Sequence, residues 1–547
     1  MVKNQISSNS SAGIGSVGSL CDIRVDTFMK YLEGYDDVKK RFLYLGLTNG
    51  FKLHYRGPIV SRSVANHKSL QEKADIFKDK IKKELEKGFT AGPFSSPPFD
   101  PFITSPVGLI PKKEAGKYRL ILDLSHPKGE LLSVNSFIPR EFCWVDYEDF
   151  DFVVSLIVDN GVGALISKTD IESAFNILPM SPEDYWLLGF SVDGLFYFKK
   201  KLPMGASISC RTFEELSKSL QFVMKKLGFK MISHILDDFI FISPASSSEC
   251  FLALERFIEL CKELNIPLNH DKTVKPTTCA VLHGIEVCTV SMTARLPEDK
   301  LLKASNLVHQ LCFRKRVTLR ELQEILGFLN FTCRVIKPGR PFLRRLFDLT
   351  RGASKPHHHI RITKGARKDL RAWRLFLLQY HGVTILTKDI WSRSVNLDIY
   401  TDAAKSSGFA AVFVDSWLHG LFEISEQQLN IAVLELYPIV LAVVIWSASL
   451  SNRCVVFHCD NNAVVHMINK QSSDNTSCMS LLRYFVIHCM QNNILVKAQH
   501  IPGKENVVSD MLSRQQVDQA RFHQPSLEKL PRKIPKTLNL SKLLANY

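Results

Sequence analysis

The stretch HILDDFIFI, residues 234–242, sets Asp237 and Asp238 side by side between apolar flanks. Such a pair fits a hairpin turn whose flanks are two strands. A third carboxylate, Asp170 in GALISKTDIESAFNILPM, follows the apolar run ALIS and precedes a helix-like segment. Taken alone it fits a helix N-cap. Together the three would crowd like charges onto neighbouring strand ends, which is costly unless cations neutralise them. Two Mg2+ ions about 3.5–4 Å apart are the standard occupants of such a site and serve phosphoryl transfer. That chemistry needs hard oxygen ligands, so aspartate is the expected residue type.

A second set lies towards the C-terminus. IYTDAAKSSGFAAVFV places Asp402 at the end of a strand expected at a sheet edge, and AVLELYPIVLAV puts Glu435 on an apolar helix. An unpaired carboxylate there is expensive. VVFHCDNNAVVHMI puts Asp460 at a strand-to-helix junction, and HIPGKENVVSDMLSR carries Asp510 on a final helix. Each of the four has a mundane reading as a cap, turn or solvated face. Four in this order, on these elements, are not accounted for in that way.

The scaffold for these residues is a chain of 547, long enough for several domains, with 45% apolar and 23% charged residues. The net charge of +16 favours a polyanionic partner, usually nucleic acid, although charge alone also fits an anionic membrane surface. The 13 cysteines are odd in number, scattered and include no C-x-x-C pair, which argues against a disulfide framework and a zinc knuckle. They indicate a reducing, intracellular compartment, cytoplasm or nucleus. The most apolar run, LELYPIVLAVVIWSASL, contains Glu435 and Pro438 and is short for a membrane span, so a buried helix is expected and no membrane partner.

Residues 1–20 are Ser/Gly-rich, lack the apolar run of a signal peptide and read as a disordered leader. Residues 21–90 read as a helical extension ending in KADIFKDKIKKELEKGF, and the Pro-rich GPFSSPPFDPFITSP as extended loop. From Val107 to about Val290 strand-like and helical segments alternate. GLIPKKEAGKYRLILDLS reads as a hairpin bearing Lys112, Lys113, Lys117 and Arg119; in KLPMGASISCRTFEEL a loop containing Gly205 leads into a helix.

Residues 296–392 are helical and basic, a composition suited to a duplex backbone, and Thr318 and Glu321 have the spacing of a capping box. His357, His358 and His359 lack partners at ligand spacing, which favours a solvated loop or phosphate contact over a metal site. LDIYTDAAKSSGFAAVFV opens the last block, 393–515, as a hairpin. The basic tail 516–547 is expected to pack poorly.

The order KKEAGKYR, TDIESAF, LPMG and LDD resembles the successive motifs of reverse transcriptases, and the second set resembles that of a ribonuclease H domain. The resemblance implies an α+β multidomain chain. A right-hand polymerase would have fingers and palm at 91–295 and a thumb and connection at 296–392, followed by an α/β ribonuclease H-like domain at 393–515. It implies that Asp170, Asp237 and Asp238 hold one pair of Mg2+ ions and Asp402, Glu435, Asp460 and Asp510 another, with Mn2+ as an alternative. Lys112 and Arg119 would contact the triphosphate of a dNTP, and Gly205 would lie beside the incoming nucleotide and template. Lys272 in LNHDKTVKP falls where a palm lysine follows, and VLHGIEV resembles the primer-grip hairpin. Phe175, five residues after Asp170, stands where the family places an aromatic gate against the 2′-hydroxyl. His500 sits at the spacing of a mobile loop histidine that assists proton transfer or product release.

Ile235 departs from the Tyr most of the family has before x-D-D, Met204 from the Gln of retroviral enzymes, and Ser509 from the Ala common before the last Asp. The finer texture, LPMGASISCRTFEELS and INKQSS among others, resembles tyrosine-recombinase retrotransposons, DIRS-like and Ngaro-like. The implied partners are an RNA template, a DNA primer, the RNA–DNA hybrid, and a separate tyrosine recombinase for integration. The rival readings are a domesticated, catalytically weak nucleic-acid-binding protein and the polymerase of a long-terminal-repeat element.

Overall fold

The computed structural model describes residues 20–111, 116–128, 132–379, 383–384, 397–451, 453–492 and 494–546. The chain divides into two compact units, Met1–Ala280 and Val281–Tyr547.

The first unit begins with helices Val25–Tyr31, Asp37–Asn49 and Ala74–Glu86. Asp36 starts the second of these by accepting from the Lys39 amide at 2.9 Å. Gly50, with φ +87°, ends it where a Cβ would meet the backbone of Ser181 at 2.4 Å, so only glycine fits. The expected basic hairpin is present as β1 (Val107–Pro111) and β2 (Tyr118–Leu122), paired from Val107↔Leu122 to Pro111↔Tyr118. Lys112 lies outside the described residues.

The sheet that matters for function contains β3 (Leu165–Asp170), β4 (Ile232–Ile235), β5 (Asp238–Ser243) and β6 (Val274–Thr277), in the order β4-β5-β3-β6. Every residue of β5 from Phe239 to Ser243 is buried, as befits a strand covered on both faces. Helices Ser209–Lys226 and Glu249–Leu264 pack against this sheet, the second setting Phe257 against Phe239 and Phe241; Phe213, Leu216, Leu220 and Leu254 belong to the same buried core.

In the second unit, the hairpin expected in VLHGIEV turns at His283 and Gly284, both left-handed (φ +46° and +77°) as a two-residue hairpin turn requires. The capping box at Thr318 forms: its hydroxyl accepts from the Glu321 amide, and the Glu321 carboxylate accepts from the Thr318 amide at 2.8 Å. Arg314 grips the same carboxylate and, with the Thr318 amide, holds its pKa down at about 2. His359 lies on a short strand paired with Thr318, and among the described residues the three histidines join no metal-ligating cluster.

The last sheet comprises β7 (Asp398–Ala404), β8 (Gly408–Phe413), β9 (Ser416–Leu421), β10 (Cys454–Cys459) and β11 (Leu495–His500), in the order β9-β8-β7-β10-β11. Strands β9, β8 and β7 run antiparallel; β7, β10 and β11 run parallel. Asp402 is therefore on the central strand, not at an edge. Helix Ile431–Ile445 is buried at every residue from Ala432 to Val443, which explains an apolar surface all round. No described helix is long and apolar enough to cross a membrane.

The tail overturns its expectation. It forms helices Val517–His523 and Leu540–Asn546, and Leu527, Leu538, Leu540 and Leu543 are buried. Its backbone answers buried polar groups of the last domain: Leu538 accepts from the Tyr437 hydroxyl and Glu528 from the Trp417 indole, each at 2.9 Å. A count of basic residues hid the leucines spaced between them.

Candidate active sites

The first site is built by register. Asp170, the last residue of β3, pairs directly with Asp238, the first of β5. Asp238 also pairs with Ile235, the last of β4, so Leu236 and Asp237 form a two-residue turn. The turn reading of the aspartate pair and its reading as a carboxylate cluster thus describe one object. Leu236 is left-handed at φ +52°, an uncommon conformation for a bulky residue. Burial, and then the neighbouring Asp170, push Asp237 up to about 6. Burial also raises Asp238, against the pull of Lys168. Lys272 sets its Nζ 2.8 Å from Asp170 Oδ2, which raises the lysine's own pKa.

Around this cluster, a Cβ at Gly205 would lie 1.9 Å from the Leu122 carbonyl oxygen, so only glycine permits the loop to approach β2. Asn135 pins that loop, donating to the Gly205 carbonyl at 2.8 Å and accepting from the Ser207 amide at 3.0 Å. Phe175 follows in the short 3-10 turn Ala174–Ile177, half-buried, its ring edge-on to Phe213 at 5.6 Å. Arg119 is exposed on β2, opposite Ile110.

The second site gathers from four elements. Asp402 on β7 and Glu435 on its helix are each only 5% exposed, Asp460 directly follows β10, and Asp510 lies on helix Val507–Ser513. Burial, then Asp402 and Asp460, push Glu435 up to about 9. Burial pushes Asp402 to about 6 although the Ser513 hydroxyl donates to it at 2.5 Å. Arg514 binds Asp510 at 2.8 Å. His500 places Nε2 3.1 Å from the Asp460 carbonyl oxygen and is exposed. Cys459, Glu435 and Asp460 bring one ligand atom each within 4.8 Å of one another.

The carboxylate oxygens of both sets are the hard donors a divalent cation takes; among the described residues only Glu435, Cys459 and Asp460 bring three ligand atoms within 4.8 Å of one another. Burial and neighbouring carboxylates oppose ionisation of Asp237, Asp402 and Glu435 in a way that a bound cation would relieve.

Two supporting groups had no motif to announce them. Asn506, 2% exposed, donates to the Thr401 carbonyl at 2.9 Å and so ties the Asp510 helix to the strand of Asp402. Glu214, Ser217 and Gln221 form a polar stripe on the sheet-facing side of helix Ser209–Lys226. Their spacing of three and then four residues is a legible signal: a charged residue on a face that must be buried.

A family model described as Reverse transcriptase-like matches residues 400–516. That similarity covers the block holding the second carboxylate set. The genome polyproteins of two isolates of Petunia vein clearing virus are each 22% identical over 413 residues, covering 73% of this chain and 17% of the polyprotein. Among solved structures, the foamy viral protease-reverse transcriptase dRH in complex with dsDNA superposes with a TM-score of 0.51 at 16% identity. That match covers 90% of this chain and 84% of the other, and establishes a similar mixed α/β fold.

Proposed function

We propose that the chain is an RNA-directed DNA polymerase, a nucleotidyltransferase, with a ribonuclease H activity, and that it copies the RNA of a DIRS-like or Ngaro-like retrotransposon. What carries the reading is the pair of separate carboxylate clusters on two different sheets. Each contains a carboxylate, Asp237 in one and Glu435 in the other, whose burial makes ionisation costly without a cation. A binding module has no use for either.

In this reading Asp170, Asp237 and Asp238 hold two Mg2+ or Mn2+ ions, and Asp402, Glu435, Asp460 and Asp510 hold another two. When bound, such ions activate the attacking oxygen and stabilise the leaving one. The protein's own residues do the rest. Lys112 and Arg119 clamp the dNTP triphosphate, and the bare backbone at Gly205 lets template and nucleotide lie close. Phe175 fills the space a 2′-hydroxyl would need, and Lys272 neutralises Asp170 until substrate arrives. In the second site His500, exposed beside Asp460, moves a proton or helps product leave the hybrid. The partners are an RNA template, a DNA primer, the RNA–DNA hybrid, and a tyrosine recombinase acting on the product.

The test is primer extension on an RNA template with dNTPs and Mg2+, beside cleavage of a labelled RNA–DNA hybrid. Asp237→Asn/Asp238→Asn should abolish extension and spare cleavage, and Glu435→Gln should do the reverse. Folded wild type that binds duplex yet does neither would mark a domesticated binding protein, with Ile235 the first suspect.

A further inference from the structure

The Leu236–Asp237 turn aims one carboxylate of the first site, yet no strand pairing holds Leu236. Asp238 is fixed by its pairing with Asp170 and Ile235, and the Asp237 carbonyl accepts from the Ile171 amide at 3.0 Å. Leu236 instead has both backbone polar groups held by one helix. Glu214 Oε2 accepts from its amide at 3.1 Å, and the Ser217 hydroxyl donates to its carbonyl at 2.7 Å. The other oxygen of Glu214 lies 3.1 Å from His234 Nε2, and both side chains are 1% exposed. One turn further along the helix, Gln221 donates to the Ile232 carbonyl at 2.9 Å and to Glu148 at 3.0 Å; Glu148 in turn accepts from the His234 amide at 3.2 Å.

We infer that Glu214 is a positioning residue for Asp237, acting through the backbone of Leu236; the inference rests on the polymerase reading of this site. The reasoning is conformational. A leucine leaves the left-handed region when nothing holds it there, because its Cβ crowds the carbonyl oxygen that follows. If Leu236 relaxes to negative φ, the peptide joining it to Asp237 rotates. The Asp237 side chain then points away from the end of β3, while Asp238 stays in register. A buried carboxylate accepting from an amide is a stronger clamp than a neutral acceptor. The His234 ring fixes where that clamp sits, and the Ser217 hydroxyl holds the same residue by its carbonyl. A merely structural Glu214 would satisfy His234 and nothing more; the second oxygen on the Leu236 amide is what such a role leaves unexplained.

The experiment compares wild type, Glu214→Leu, Glu214→Gln and Ser217→Ala in the full chain. Primer extension is resolved into kcat and KM for dNTP, with hybrid cleavage by the same chain as internal control. Hydrogen exchange of a peptide spanning residues 232–239 is read alongside. Glu214→Leu keeps the volume and removes both contacts. It should lower kcat at least tenfold, leave duplex binding and hybrid cleavage within twofold, and speed exchange at 232–239. Glu214→Gln keeps a carbonyl acceptor for Leu236 and should recover most of kcat. Ser217→Ala should shift both readouts the same way, less far. Faster exchange with unchanged kcat would overturn the positioning role, as would a matched fall in hybrid cleavage, which signals general destabilisation. Wild type that fails to extend would sink the polymerase reading and the catalytic half of this proposal together. The exchange comparison would still decide whether Glu214 holds the turn.

Discussion

The ammonium of Lys272 rests 2.8 Å from one oxygen of Asp170, although the lysine side chain is 61% exposed and the aspartate 14%. A flexible cation thus sits on a carboxylate proposed to bind metal, where it competes for the same oxygen. Removing it leaves the cluster more negative. Lys272→Gln should therefore lower the Mg2+ concentration for half-maximal extension by about threefold or more, while reducing kcat. Titration with Mn2+, followed by its paramagnetic signal, measures the first effect without turnover. An unchanged midpoint would mean that Lys272 is a bystander.

Glu435 predicts the sign of a pH effect. Its folded pKa is raised to about 9, first by burial, so the folded state binds a proton that the unfolded state has released. Stability without metal must then fall as pH rises from the unfolded value towards 9, by up to about 1.4 kcal/mol per pH unit for one carboxylate. Asp237 and Asp402, raised to about 6, act the same way over a lower window. Between pH 6 and 9 Glu435 is the one of the three still titrating in the fold. The melting temperature in EDTA should drop across that range. Glu435→Gln should raise it at pH 8 and flatten the slope, while hybrid cleavage is lost. A melting temperature in EDTA that rises across the same range would contradict the burial argument.

How legible was this in the sequence? The hairpin around the aspartate pair was, because a turn between apolar runs is a local pattern, although the turn residues are Leu236 and Asp237 and Asp238 already belongs to the strand. So was the Thr318–Glu321 box, a motif four residues long. The central place of Asp402 was not: it depends on parallel pairing of β7 with β10, where Tyr400 meets His458 across a long intervening segment. Glu214 went unread because its partner, the Leu236 amide, is chosen by a strand that follows the helix. The hairpin tip with Lys112 lies outside the described residues.

Phe175 stands half-buried against the edge of Phe213. Truncation to alanine should open room for a 2′-hydroxyl and raise ribonucleotide incorporation at least tenfold relative to dNTP. The fold should survive, since the residue is only partly buried. Competitive incorporation of matched rNTP and dNTP on one template reads this directly. Unchanged discrimination would assign the ring to the core alone.

Gly205 offers a sharper steric case. A methyl group 1.9 Å from the Leu122 carbonyl cannot be accommodated without moving the loop or β2. Gly205→Ala should cut extension by about a hundredfold or more and leave hybrid cleavage intact. Equal activity would show that the loop shifts freely and that its close approach is incidental.

The tail supplies the last test, because composition and structure disagree about it. Leu527, Leu538, Leu540 and Leu543 are buried, and leucines so placed contribute about 1.5–3 kcal/mol each. Removal of residues 516–547 would strip those contacts and also leave the Tyr437 hydroxyl and the Trp417 indole without the carbonyls of Leu538 and Glu528. Each orphaned buried donor costs about 1–3 kcal/mol. Tyr437 lies on the helix that carries Glu435, so loosening it should disturb the second site before the first. Truncation after Gln515 should therefore lower the melting temperature of the last domain and reduce hybrid cleavage at 37 °C more than primer extension. Leu538→Ala with Leu543→Ala in the full chain should reproduce part of the loss, separating packing from the charge of the tail's lysines and arginines. If the truncated chain cleaves hybrid as well as the full one, the tail's packing contributes nothing the site depends on.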